Sequence, residues 1–286
     1  MQLHRHLCIP TFLAVCVLAA FSCAPAAVPG QRVFYTGHSF HMFVPAMIEE
    51  MVKTTDIQGH KLVGKQGIGG SRVIQHWQLA DDKNFAKKAL MGGEVDVFTM
   101  APHLLIPDEG ITNFVNLGLE HNPRMRFLLQ ASWYPFDVAA PAPGQPDLRI
   151  KDNSKRDDAK IADLQAAVDG WRAQLEAQAA ELNQKHGKTC VFIVPVGDAV
   201  VKLRAMVLAG EFPGITKQSA LFRDPIGHGQ GHIMALAAYC NFAALYQMSP
   251  VGHTAPERSV SPEQHAILQK IAWDTVSKYP PAGVKS

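Results

Sequence analysis

Short β-branched and aromatic runs alternate along the chain with longer stretches whose apolar residues recur at helical spacing. Residues 32–36, Arg-Val-Phe-Tyr-Thr, read as a strand that ends at Gly37. Residues 43–52 return to helical spacing, and 61–64 give a weaker strand pattern. A stronger strand at 95–100 follows the Gly92-Gly93 turn; 109–120 reads as a helix and 126–132 as a further strand. Residues 190–196 are again strand-like, and 198–208 are helical. Strands separated by helices favour a parallel sheet covered on both faces. The pattern therefore predicts an α/β fold, a three-layer α/β/α sandwich around a five-stranded, mainly parallel sheet.

Two segments interrupt the alternation. Residues 135–152 are rich in Pro, Ala, Gly and Asp and read as an irregular surface excursion, which reaches to about 155. Residues 156–186 form a long run of Ala, Gln, Leu, Glu and Lys broken only by Gly170, which predicts one helix lying over the sheet. An apolar helix is expected at 233–246. Another is expected at 261–278, where Ser261 can cap and Pro262 suits the first turn. Residues 31–286 are expected to form a single domain, and no internal repeat is visible.

The N-terminus has a different character. Arg5 precedes an almost continuous apolar stretch at 7–21, and Ala24-Pro25-Ala26 offers a small-x-small cleavage site. This predicts a secretory signal peptide at 1–26 and an exported, periplasmic or extracellular mature chain. A lipid anchor through Cys23 is the alternative. No later run approaches membrane-span length, so no transmembrane segment is expected in the mature chain. Of 5 cysteines, only Cys190 and Cys240 lie beyond the leader, too few for a disulfide framework.

Composition excludes more than it assigns. The 286 residues carry 27 Lys+Arg against 25 Asp+Glu, and a net charge of +2 gives no electrostatic grip on nucleic acid. An apolar fraction of 47% excludes a disordered chain. The 13 histidines are the one unusual count, and histidine is the side chain that most readily binds metals or moves protons near neutral pH.

Two segments have the residues for such chemistry. Gly37-His38-Ser39-Phe40 follows the first strand, where a serine hydroxyl can face the crevice at the carboxyl end of a parallel sheet. A helix cap is the bland reading of that serine. Asp224-Pro225-Ile226-Gly227-His228-Gly229-Gln230-Gly231-His232 supplies a base with a carboxylate four residues away, close enough to meet across one irregular turn.

In this order the blocks resemble the SGNH (GDSL-like) hydrolase superfamily, most closely its secreted bacterial members with Gly-Asn-Ser-Phe in the first block. The middle stretch Gln66-Gly67-Ile68-Gly69-Gly70-Ser71 is similar to that superfamily's Asn-x-Gly-x-Ser-Gly block. Tyr246-Gln247-Met248-Ser249-Pro250 matches the end of its final helix. The resemblance implies a flavodoxin-like fold, Ser39 as nucleophile, His228 as base and Asp224 as its orienting carboxylate. It also implies an oxyanion hole made by the N–H groups of Ser39 and Gly70.

The chain departs from the pattern at three places. His38 stands where Asp or Asn is usual, and the Gly-x-Asn-Asp block is replaced by Thr99-Met100-Ala101-Pro102-His103. The last block is one residue longer, which makes His232 a second claimant for the base. Counting back from Ser249-Pro250 favours His228. His38, His103 and His232 are thus expected near the site.

The expectation is a secreted serine esterase that needs no cofactor and no metal, acting on a small-molecule or polysaccharide ester such as acylated carbohydrate. Trp77, Trp133 and Tyr134 are available to stack on sugar rings or to pack the core. Two alternatives stay open: carbohydrate binding without catalysis on the same fold, and a metal site built on His228 and His232, whose spacing would place both on one helix face. The glycines around His228 argue against a regular helix there.

Overall fold

Strand β1 (Arg32–Gly37) is buried on both faces from Val33 onward, so its sequence runs apolar without polar alternation. It is second in a sheet of five parallel strands. The spatial order is β2 (Lys61–Gly67), β1, β3 (Val97–Met100), β4 (Arg126–Gln130) and β5 (Val191–Val194). The computed structural model describes residues 28–138 and 147–284. The expected leader at 1–26 and the middle of the excursion lie outside the described residues.

Helices α1 (Val44–Val52), α2 (Val73–Trp77), α3 (Phe85–Met91) and α4 (Glu109–His121) fall between β1 and β4. Helix α5 (Ile161–Lys185) precedes β5, and α6 (Val196–Leu208), α7 (Gly231–Tyr246) and α8 (Pro262–Val276) follow it. Val33, Tyr35, Val97, Leu128 and Val194 point to one face of the sheet and pack with α1, α6, α7 and α8. Phe34, Phe98, Phe127, Leu129 and Ile193 point to the other face and pack with α2 to α5. Period-two alternation thus feeds two separate cores, and each large apolar side chain buried there contributes about 1.5–3 kcal/mol. The result is the α/β/α sandwich that the alternation predicts, with every strand pair parallel.

Helix α7 is buried along its length apart from Met234, which explains the unbroken apolar run at 233–246. Among the described residues no helix is long and apolar enough to cross a membrane.

The structure corrects the reading of 135–186. The single helix expected over 156–186 begins only at Ile161, after a 3₁₀ turn at Asn153–Asp158. Arg156 in that turn is fully buried, and its bonds to other segments hold the chain off the helical path. The excursion is also anchored at its start: Asp137 is buried between Arg156 and Arg204. Helices α2 and α3, of 5 and 7 residues, are too short to show a period and have no counterpart in the sequence reading.

In this strand order the connections diverge from β1 toward β2 and toward β3. Ligands of open α/β sheets bind at such a point, outside the carboxyl ends of the strands. Ser39 leaves β1 there, and Pro102-His103 follow β3.

Candidate active site

Gly37 ends β1 with φ 154°, and a Cβ on it would lie 2.7 Å from that of Ala101. Glycine therefore lets the ends of β1 and β3 approach while the chain turns. The turn that follows is closed by the N–H groups of His41 and Met42, which donate to the carbonyl of His38 at 3.0 and 3.2 Å. It presents Ser39 exposed while Phe40 and His41 are buried beneath it.

Asp224 and His228 sit on a narrow loop. An antiparallel bridge between Phe222 and Gly229 closes it, and Gly227 turns it at φ 105°. One carboxylate oxygen of Asp224 accepts from the N–H groups of Gly227 and His228 at 2.9 and 3.2 Å. The other lies 2.6 Å from His228 Nδ1. His228 Nε2 lies 2.9 Å from Ser39 Oγ. These contacts assign the tautomer: Nδ1 carries the proton and donates to Asp224, and Nε2 accepts from the serine hydroxyl. Burial alone would raise the Asp224 carboxyl. The hydrogen bonds from the His228 ring and from the two N–H groups outweigh it and hold the carboxyl below the ordinary value.

Gly70 turns at φ 62° and lines the same cleft as Ser39. Among the described residues neither its N–H nor that of Ser39 donates to another backbone group. His38 also lines the cleft. Its Nδ1 accepts from Phe40 N–H at 3.3 Å and its Nε2 faces the Pro102 carbonyl at 3.5 Å. Burial lowers its pKa to about 4, so the ring is neutral at pH 7. His103 stands in the cleft wall, with its pKa lowered by burial and by Arg72.

Two buried polar groups that the sequence reading missed hold this arrangement. The first is Gln130, at the end of β4. Its amide nitrogen donates to the Phe40 carbonyl at 2.9 Å and to Ser132 Oγ at 2.8 Å. Its oxygen therefore accepts from His41 Nδ1 and from Asn241, both at 2.8 Å. His41 Nε2 is left to accept from the Thr99 hydroxyl at 2.8 Å. Burial lowers the His41 pKa to about 4 and keeps it neutral. A glutamine closing the otherwise apolar run Phe127-Leu128-Leu129 was the available signal.

The second group is an ion cluster. Asp137 pairs with both Arg156 and Arg204. Arg156 also donates to the carbonyls of Asp224 and Pro225 at 3.3 and 2.7 Å. Trp133 Nε1 donates to the Gly227 carbonyl at 2.8 Å. The loop carrying Asp224 and His228 is thereby held from below on two sides. No sequence signal marked Asp137, because its two partners lie far along the chain.

The structure thus brings Ser39, His228, Asp224, Gly70, His38 and His103 to one cleft or its rim. It does not bring His232, and the expectation for that residue is corrected. His232 lies in the first turn of α7, buried edge-on against Phe212, with Nε2 3.1 Å from Gln264 Oε1. Both nitrogens of His228 are engaged by Ser39 and Asp224. Among the described residues no group of three or more His, Cys, Asp or Glu is arranged to hold a metal ion. Trp133 lines the cleft and stacks on Phe40 at 4.6 Å. Trp77 packs edge-on against Phe114, and Tyr134 against Trp171.

No protein-family model matches the chain, and no curated protein matches it. Among solved structures it is similar to a DUF4886 family protein from Bacteroides uniformis. The identity is 16% and the TM-score 0.54, over 88% of this chain and 96% of that one. It is also similar to a candidate GDSL-like lipase from Parabacteroides merdae (10% identity, TM-score 0.41, 90% and 98% covered). A candidate SGNH hydrolase from Slackia heliotrinireducens gives 15% identity, TM-score 0.38 and coverage of 76% and 96%. The first of these likenesses is one of fold.

Proposed function

We propose that this chain is a secreted serine hydrolase of the SGNH type that cleaves carboxylic esters, with acylated carbohydrate among its substrates. The observation that carries the reading is the continuous hydrogen-bonded series Ser39 Oγ, His228 Nε2, His228 Nδ1 and Asp224, with spacings of 2.9 and 2.6 Å. In this reading Ser39 Oγ attacks the ester carbonyl carbon while its proton passes to His228 Nε2. The oxyanion that forms accepts from the N–H groups of Ser39 and Gly70. Collapse breaks the carbonyl carbon–alkoxy bond, and His228 gives its proton to the departing alcohol. Water then attacks the acyl-serine, loses its proton to His228, and releases the acid as Ser39 is reprotonated. Asp224 stays ionised and keeps the imidazole in the required tautomer throughout.

A second reading, carbohydrate binding without turnover, is favoured by one observation. The stretch after β3 provides Ala101-Pro102-His103 where the superfamily's oxyanion-hole asparagine is expected. One experiment separates the two. A fluorophosphonate should label wild-type protein and fail to label Ser39→Ala, with hydrolysis of p-nitrophenyl esters lost in parallel. Folded wild-type protein that takes no label would refute the hydrolase.

A further inference from the structure

The cleft beside Ser39 narrows the choice of ester, and the inference rests on the serine-hydrolase reading. The cleft encloses about 200 Å³ and is walled by Phe40, Leu104, Trp133, Phe136, Trp171 and Ile226, with almost no polar surface. Among the described residues no Asp, Glu, Lys or Arg lines it. His38 and His103 reach it as neutral rings, because burial lowers both. A charged or polyhydroxylated group entering this space would lose its water and find little to replace it. An apolar group would gain contact with the cleft walls.

The geometry also says which half of the ester belongs there. The departing alcohol oxygen must lie within reach of His228 Nε2, the atom that returns its proton. His228 does not line the cleft, whereas Ser39 and Gly70 do. The carbon skeleton behind the carbonyl therefore runs into the cleft, and the alcohol half leaves on the His228 side. A dry apolar cavity of about 150 Å³ holds a benzene molecule. An acetyl group would leave most of this larger space empty.

We propose that the cleft is an acyl pocket for an uncharged, apolar acyl group of roughly six to eight carbons, an estimate scaled from that benzene-sized cavity. The sugar or other alcohol stays outside it.

The test is a series of p-nitrophenyl esters from acetate to decanoate, run beside fluorophosphonate labelling of Ser39. Each buried methylene should raise kcat/KM by about fourfold until the pocket is full. Hexanoate should therefore exceed acetate by tenfold or more, and the gain should end near octanoate. Leu104→Trp, which fills the pocket, should lower the hexanoate-to-acetate ratio by at least tenfold. A ratio does not depend on the fraction of folded enzyme. Labelled Ser39 with a flat series, with acetate as the best substrate, or with no turnover at any chain length overturns the acyl pocket and leaves a reactive Ser39 in place. Absence of both labelling and turnover overturns the hydrolase reading itself.

Discussion

Arg156 Nη2 donates to the main-chain oxygen of Pro225 at 2.7 Å, so a fully buried guanidinium holds the loop that carries Asp224 and His228. The same side chain pairs with Asp137, and its Nε donates to Asn153 Oδ1 at 3.0 Å. One guanidinium fork therefore ties the segment of Trp133, Pro135 and Phe136 that walls the cleft, through Asp137, to the loop of Asp224 and His228.

Arg156→Ala leaves Asp137 with Arg204 as its remaining charge partner and leaves the loop carbonyls bare. Breaking a buried pair on one side costs about 3–5 kcal/mol, and a drop of that size is expected in urea unfolding. Arg156→Lys keeps the charge but cannot serve Asp137, Asn153 and Pro225 together. It should lose less stability while still slowing fluorophosphonate labelling of Ser39. Labelling of Arg156→Lys at the wild-type rate would show that the loop needs only the charge.

Gln130 gives a second way to loosen the site without touching a reacting atom. In Gln130→Leu the Phe40 carbonyl and the His41 Nδ1–H lose their partners in a dry interior, at about 1–3 kcal/mol each. Gln130→Glu, whose carboxyl takes up a proton in this fully buried position, keeps an acceptor for His41 and Asn241 but has one O–H donor where the amide has two N–H donors for Phe40 and Ser132. The expected order of both unfolding midpoint and labelling rate is wild type, then Glu, then Leu. Labelling of Gln130→Glu at the wild-type rate would mean that the site does not need donors to Phe40 and Ser132 at once.

The strands were readable in the sequence as short apolar runs between turns, as at Val33, Phe34 and Tyr35, and a helix such as α4 because its buried residues Ile111, Phe114, Val115 and Gly118 recur at helical spacing. The loop holding Asp224 and His228 was readable because both residues belong to one turn. Asp137, Arg156, Arg204 and Gln130 were not. Each is a polar residue whose partner is set by the packing of distant segments, and periodicity carries no trace of that pairing. The cleft wall was hidden for the same reason. Trp171 comes from the middle of α5 and Ile226 from the loop before α7, and only the folded sheet brings them together.

Asp224→Asn tests the assigned tautomer. The Asn amide can present an N–H toward the imidazole and favour the form with the proton on Nε2, which cannot accept from Ser39. A loss of kcat of about 10⁴-fold is expected, with the unfolding midpoint little changed because Asp224 is partly exposed. A loss below about tenfold would indicate that Asp224 does not orient the base.

The buried histidines set the pH dependence of stability. His38, His41 and His76 are each lowered to about 4, chiefly by burial, against an ordinary value of 6.5. Well above pH 6.5 all three are neutral in the folded and the unfolded chain, and they add no pH dependence. As pH falls from 6.5 toward 4, the unfolded chain takes up protons on them and the folded chain does not. The unfolded state then binds more protons, so stability falls with pH by up to about 1.4 kcal/mol per unit for each group. Carboxylates held below their ordinary value, such as Asp96 and Asp224, act mainly below this window. Urea midpoints should therefore be level above pH 7 and decline steeply between pH 6 and 4.5. His41→Gln should be less stable throughout, yet decline with a slope shallower by about one proton. A midpoint that stays constant from pH 7 to 4.5 would mean that these rings are not buried in their neutral form.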